Sequence, residues 1–193
     1  MNTYLRICSF FVALLVMMSI LAPPVMFGQE AKSFATQGCM EIGGSISFLS
    51  TTPVFYGNTN GSMSTFSFQP FIGYFVSDGF ELGFDPLGLT YIDLGGTTIT
   101  QVTIFAAPSY NFRTGGNAYP FIEALLGYTS QSVSSTSSGF SWGGRGGVKI
   151  AVTDKGLLNL GVQYLQITLD RPGAGERNGS NQFSIAAGFT VWF

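Results

Sequence analysis

Across residues 181–193 large and small side chains alternate strictly. Phe183, Ile185, Ala187, Phe189, Val191 and Phe193 fall on one face, and Ser184, Ala186, Gly188, Thr190 and Trp192 on the other. A period of two is the signature of an extended strand, whose successive side chains point to opposite sides of a sheet. An oily face that finishes on an aromatic residue fits a strand whose outer side meets lipid and which closes a barrel. The competing reading is the last strand of a soluble β-sandwich.

The same period recurs upstream. It predicts strands over residues 38–48, 65–76, 80 to about 91, 101–112, 119–129, 139–152 and 157–168, making eight with the closing one. Tight polar turns at Ser77-Asp78-Gly79, 113–118 and Asp154-Lys155-Gly156 alternate with longer Gly/Ser/Thr/Asn-rich loops at 51–64, 93–98, 130–138 and 170–181. Each segment is about as long as the 9–11 residues a tilted strand needs to cross a bilayer. Residues 30–37 are polar and predict a short, mobile lead-in.

Charge is where composition matters. Only 9% of the 193 residues are Asp, Glu, Lys or Arg, against about 25% in soluble domains. That is too few to cover a water-facing surface. No internal apolar run reaches the roughly 18 residues of a spanning helix. The two facts together point to a membrane β-barrel. The net charge of −2 offers no basic patch, so nucleic-acid binding has no support.

The first residues read as an export leader: Arg6, an apolar core over 7–21, and a helix-breaking tail over 22–29 containing Pro23 and Pro24. The expected organisation is a cleavable signal peptide at 1–29 and a barrel domain at 30–193. A retained anchor is the alternative, but the apolar run has only the length of a leader. Cys8 lies too early and Cys39 too late for lipid attachment after that core. Once the leader is removed Cys39 is the sole cysteine, which excludes an intramolecular disulfide.

Alternation alone does not say which face is outside. A lipocalin keeps its apolar face in and its charges out. Here no charged residue falls in the apolar phase of any predicted strand, and the other phase is mostly Gly, Ser, Thr, Asn and Gln. Tyr74, Phe80, Tyr110, Phe112 and Phe193 all lie near strand ends on the short-turn side, as an interfacial aromatic girdle would. The reading is lipid outside and a small polar lumen inside. Pro70, Pro86, Pro108 and Pro120 oppose it locally, because each removes a ladder donor; bulges or strand ends near the membrane interface are expected there.

With these features in place, residues 38–193 resemble the OmpA/OmpX-type eight-stranded outer-membrane barrels. The resemblance is carried by the leader, Gly73-Tyr74-Phe75-Val76 before an Asp-Gly turn, Tyr119-Pro120-Phe121 opening the fifth predicted strand, and the terminal Phe193. Gly188, Val191 and Phe193 match the glycine, hydrophobic and terminal aromatic positions of that family's C-terminal assembly signal, while Ala186 departs from its polar position. The resemblance implies an all-β, eight-stranded antiparallel up-and-down transmembrane barrel in the bacterial outer membrane, with no enzyme activity and no cofactor. It also implies contact with outer-membrane lipid and lipopolysaccharide, and handling by periplasmic chaperones and the β-barrel assembly machinery. A monomer is expected.

Catalytic chemistry finds little support. The chain has no histidine, so Ser-His and Cys-His nucleophiles and most zinc sites are excluded. The Gly143-Gly144-Arg145-Gly146-Gly147-Val148-Lys149 run lacks phosphate-loop spacing, and close strand packing explains its glycines better. The informative constellation is Glu41, Glu81, Asp85, Glu123, Arg145 and Lys149. All fall in the polar phase, most near short turns, so they are expected to meet and pair in the periplasmic half of the lumen. They form either a gate for small ions or a permanent plug, and a barrel this narrow favours the plug. Contact patches are conceivable at Phe55 and Tyr56 in the first loop and at Asp170, Arg171, Glu176 and Arg177 in the last. Three functional readings remain: a structural or surface-interaction barrel, an ion or solute channel, and a soluble lipocalin-like carrier.

Overall fold

The computed structural model describes residues 33–51, 54–55, 58–59, 63–93, 97–132, 136–170 and 177–193. The expected leader, Tyr56, Arg171 and Glu176 lie outside them. Eight long antiparallel strands close on themselves: β1 (Met40–Thr51), β4 (Met63–Ser77), β5 (Phe80–Asp93), β6 (Thr98–Asn111), β7 (Ala118–Ser132), β8 (Thr136–Ala151), β9 (Gly156–Asp170) and β10 (Arg177–Trp192). Two short strands, β2 (Val54–Phe55) and β3 (Asn58–Thr59), pair with each other between β1 and β4. Each of the eight barrel strands neighbours the next barrel strand in sequence, so this is an up-and-down barrel, sealed where β10 meets β1.

The period-two pattern sets which way each side chain points. On β7, Ile122, Leu126 and Tyr128 are 60%, 49% and 55% exposed, whereas Phe121, Glu123 and Leu125 in the opposite phase are buried. Among the described residues, Ile185 on β10 is the most exposed large apolar side chain at 71%. A lipocalin-like arrangement, with its oily face inward, is therefore not what forms. The expected girdle residues Tyr74, Phe80, Tyr110, Phe112 and Phe193 are all exposed at the short-turn end. A second ring, which the sequence reading did not identify, sits at the far end: Phe66, Tyr91, Tyr128, Phe140, Trp142, Tyr164 and Phe183. Aromatic rings favour the two membrane–water interfaces, so the pair of girdles brackets the apolar belt.

The strands run past that belt. β7 reaches Ser132 and β8 starts at Thr136, so residues expected in a Ser/Thr loop continue the ladder instead. Polar Ser/Thr segments pair readily when a neighbouring strand supplies donors and acceptors; loop composition alone therefore overestimates loop length.

Three of the four prolines coincide with breaks in pairing. Pro86 lies in a bulge of β5, where the register with β6 shifts between Asp85 and Gly88 and that with β4 between Phe84 and Leu89. Pro70 faces the same irregularity, between Phe68 and Ile72 of β4. The β6–β7 ladder skips Ala107 and Pro108 without changing register. Pro120 is the third residue of β7, close to its start. A strand can place a residue without N–H only where the ladder does not call for one.

The seam is short. β1 and β10 pair over six positions, from Glu41↔Trp192 to Ile46↔Ala187, while β10 and β9 pair over fifteen. Glycines make the close approach possible: a Cβ on Gly188 would lie 2.6 Å from the Gly44 carbonyl oxygen, and one on Gly43 would collide with the backbone of Phe189 and Thr190.

The interior differs from the polar lumen expected. At the short-turn end Phe34, Ala35, Cys39, Phe75, Leu157 and Trp192 form one buried apolar cluster. Further along, Phe71, Phe105, Ala107, Leu125, Leu165, Ile167 and Leu169 form a second. On β9 the large apolar residues change phase, from outward Leu158, Leu160 and Val162 to inward Leu165, Ile167 and Leu169. A barrel of eight strands is narrow enough for side chains to fill it, and here many of those side chains are oily.

Candidate functional site

The six ionisable residues singled out by phase sit between those two apolar clusters. β8 supplies both cations on its inner face, Lys149 two residues and Arg145 six residues in from Ala151. β1 supplies Glu41, β5 supplies Glu81 and Asp85, and β7 supplies Glu123, which is the direct cross-strand partner of Arg145. The glycine run around Arg145 lies wholly within β8, with no loop or helix. Its missing side chains matter sterically, since a Cβ on Gly143 or Gly147 would collide with the backbone of β9.

The groups form two triads. In one, Lys149 Nζ donates to Glu41 Oε2 at 2.6 Å and Glu81 Oε2 at 3.2 Å. Glu41 Oε1 also accepts from Thr190 Oγ1 at 2.6 Å, and Thr190 Oγ1 accepts from Asn159 Nδ2 at 3.1 Å. Glu81 Oε2 accepts from Ser109 Oγ at 3.0 Å and Asn111 Nδ2 at 3.1 Å. In the other triad, Arg145 Nη2 lies 2.6 Å from Glu123 Oε1 and 3.5 Å from Asp85 Oδ2, while Gln69 Nε2 donates to Asp85 Oδ2 at 2.6 Å. The side chains of Glu41, Glu81 and Asp85 are fully enclosed, and that of Arg145 is 10% exposed.

Each cation thus holds one carboxylate tightly and a second more loosely. The looser acid of each triad keeps one buried oxygen without a partner, Glu81 Oε1 and Asp85 Oδ1. Gly73 makes room for the first, because any side chain there would occupy the position of the Glu81 carboxylate. Lys149 Nζ also lies 5.3–5.5 Å from the ring centres of Phe34, Phe71 and Phe121. Aromatic faces attract a desolvated cation, so the ammonium is held by carboxylates and rings together. Charges withdrawn from water are tolerated only when opposite charges and hydrogen-bond donors face them, and each carboxylate here has both on at least one oxygen.

A cavity of about 40 Å³ borders the network, lined by Glu41, Glu123, Arg145, Lys149, Gln69 and Asn159 and by the small residues Gly44, Ser45, Gly161 and Ala186. That is room for a few water molecules.

The polar, mobile lead-in expected over residues 30–37 contains Phe34 and Ala35, which are instead buried at the short-turn end. The available signal was a lone aromatic in an otherwise polar segment. Elsewhere, Gly188 lies at the seam, and Val191 and Phe193 face outward at 41% and 38% exposure. Asp170 ends β9, opposite Arg177; Phe55 lies in β2.

No protein-family model and no curated protein matches the chain. Solved structures do. Neisserial surface protein A is 22% identical over 81% of this chain and 98% of its own, with a TM-score of 0.60. The outer membrane protein OprG from Pseudomonas aeruginosa is 15% identical over 82% and 97%, with a TM-score of 0.55. The outer membrane protein AlkL, determined in DMPC lipid bilayers, is 12% identical over 88% and 96%, with a TM-score of 0.50. The fold is that of the outer-membrane β-barrels.

Proposed function

We propose that the protein is a non-enzymatic barrel of the bacterial outer membrane, of the OmpA/OmpX type, exported by a leader at residues 1–29. Its lumen is a permanent plug, and its role is to support envelope integrity and present its outer ends to partners. The observation that carries this reading is the division of charge. Among the described residues, the ionised groups within the belt point inward and are locked into two triads, while the outer wall is apolar from girdle to girdle. Lipid and lipopolysaccharide are the partners this wall meets. Gly188, Val191 and Phe193 serve as the assembly signal read by the barrel-assembly machinery after periplasmic chaperones have delivered the chain, and the barrel works as a monomer.

A second reading, an ion gate, is favoured by the cavity beside Arg145 and Glu123. Planar-bilayer recording of Arg145→Ala separates the two. The plug predicts conductance at baseline together with a loss of about 2 kcal/mol in stability, less than for a fully enclosed ion pair because the guanidinium edges the cavity. A stable increase in conductance would favour the gate.

A further inference from the structure

We propose that residues 33–38 are a docked strap that closes the short-turn mouth of the barrel, with Phe34 as the pin that holds it. This rests on the membrane-barrel reading but concerns a different element from the charge plug.

The wall is complete without the strap. β1 begins at Met40, whose N–H and C=O already exchange hydrogen bonds with Phe193 at 2.9 and 3.0 Å. The chain before it turns back across the mouth, with Ala35 at φ 61°, a conformation L-residues adopt only when their surroundings impose it. What imposes it is a set of specific contacts. The Phe34 ring meets Phe75 at 5.3 Å and Tyr119 at 4.8 Å, both edge-on, and Trp192 at 6.0 Å. The Gly79 N–H donates to the Ala35 carbonyl and the Gln37 N–H to Asp78 Oδ1, each at 2.9 Å, which ties the strap to the β4–β5 turn. Phe34, packed beside the β4–β5 turn, also covers Lys149, its ring centre 5.5 Å from the ammonium. The strap is therefore the element that keeps water from reaching the Lys149 triad through the short-turn end.

Cys39 gives a built-in reporter. It is fully buried under the strap, with Sγ 3.2 Å from Thr36 Oγ1 and 3.7 Å from the Ser33 carbonyl. In a chain carrying Cys8→Ser, Cys39 is the only thiol. The test is the rate at which Cys39 reacts with a water-soluble maleimide in the folded, vesicle-reconstituted protein. Each variant is first checked for the heat-modifiable mobility of an intact barrel.

Docked, Cys39 should be nearly inert. Phe34→Ala should accelerate labelling on the order of a hundredfold, the factor that corresponds to removing a buried phenyl ring. Phe34→Leu should fall between, and Asp78→Ala, which removes only a turn contact, should give a smaller rise. Conductance of the reconstituted Phe34→Ala barrel should stay at baseline, because the charge plug lies deeper. Rapid labelling of the wild-type barrel, or equal rates in wild type and Phe34→Ala, would overturn the strap. Increased conductance without faster labelling would overturn the plug and leave the strap no role as the pinned seal.

Discussion

Replacing Lys149 by alanine should cost the folded barrel about 3–5 kcal/mol, measured by urea unfolding in lipid vesicles. The reason is the company Lys149 keeps. Its ammonium is the shared donor to Glu41 Oε2 and Glu81 Oε2, and the side chains of both acids are fully enclosed. Without it, two enclosed carboxylates lose their shared counter-charge, and the penalty is that of charge left unpaired rather than of a lost contact. Two further variants divide charge from volume. Lys149→Met keeps most of the bulk among Phe34, Phe71 and Phe121 and should remain nearly as damaging as alanine. Adding Glu41→Gln and Glu81→Gln to Lys149→Met should recover most of the loss, because neutral amides can share the remaining donors from Thr190, Ser109 and Asn111. A cost under about 1 kcal/mol for Lys149→Ala, the size of an exposed ion pair, would mean that the triad is open to water.

Val162→Arg should cost about 2–4 kcal/mol in the same assay, the range for arginine at the midplane on a barrel's lipid face. Val162 is outward-facing and 47% exposed, between Leu160 and Tyr164 on β9 and opposite Ile185 on β10. On a water-facing wall the same substitution would be almost neutral. Asp154→Arg, in the exposed β8–β9 turn, supplies the control and should change stability by less than about 0.5 kcal/mol. Equal effects at the two positions would place Val162 in water.

Much of this architecture can be read from alternation, because strand phase is a local property. The inward placement of Glu123 and the outward placement of Ile122 follow from their neighbours on β7 alone, and so do the positions of all six ionisable residues. Which carboxylate pairs with which cation does not follow. Glu123 and Arg145 face one another through the β7–β8 register, but Lys149 reaches Glu41 from across the lumen, a separation of 108 residues in sequence. The apolar phase change on β9 at Leu165 was hidden for a related reason. A filled lumen rewards inward leucine as lipid rewards it outward, so hydrophobicity alone does not tell the two sides apart. The Pro86 bulge was signalled by the missing donor. The six-pair seam was not, since its length depends on two strands at opposite ends of the chain. Phe34 escaped because its socket is assembled from β4, β7 and β10, none of which is local to it.

The central claim is that the apolar phase of the strands touches hydrocarbon while the polar phase is enclosed. Spin labels placed singly along β7, in a background carrying Cys8→Ser and Cys39→Ser, test it most directly. Collision rates with dissolved oxygen, which concentrates in the bilayer, and with a water-soluble nickel chelate are then compared in reconstituted vesicles. Labels at Ile122, Ala124 and Leu126 should collide freely with oxygen and hardly with nickel, while one at Glu123 should meet little of either. Nickel access at Ile122, Ala124 and Leu126, or an oxygen maximum at Glu123, would contradict the account.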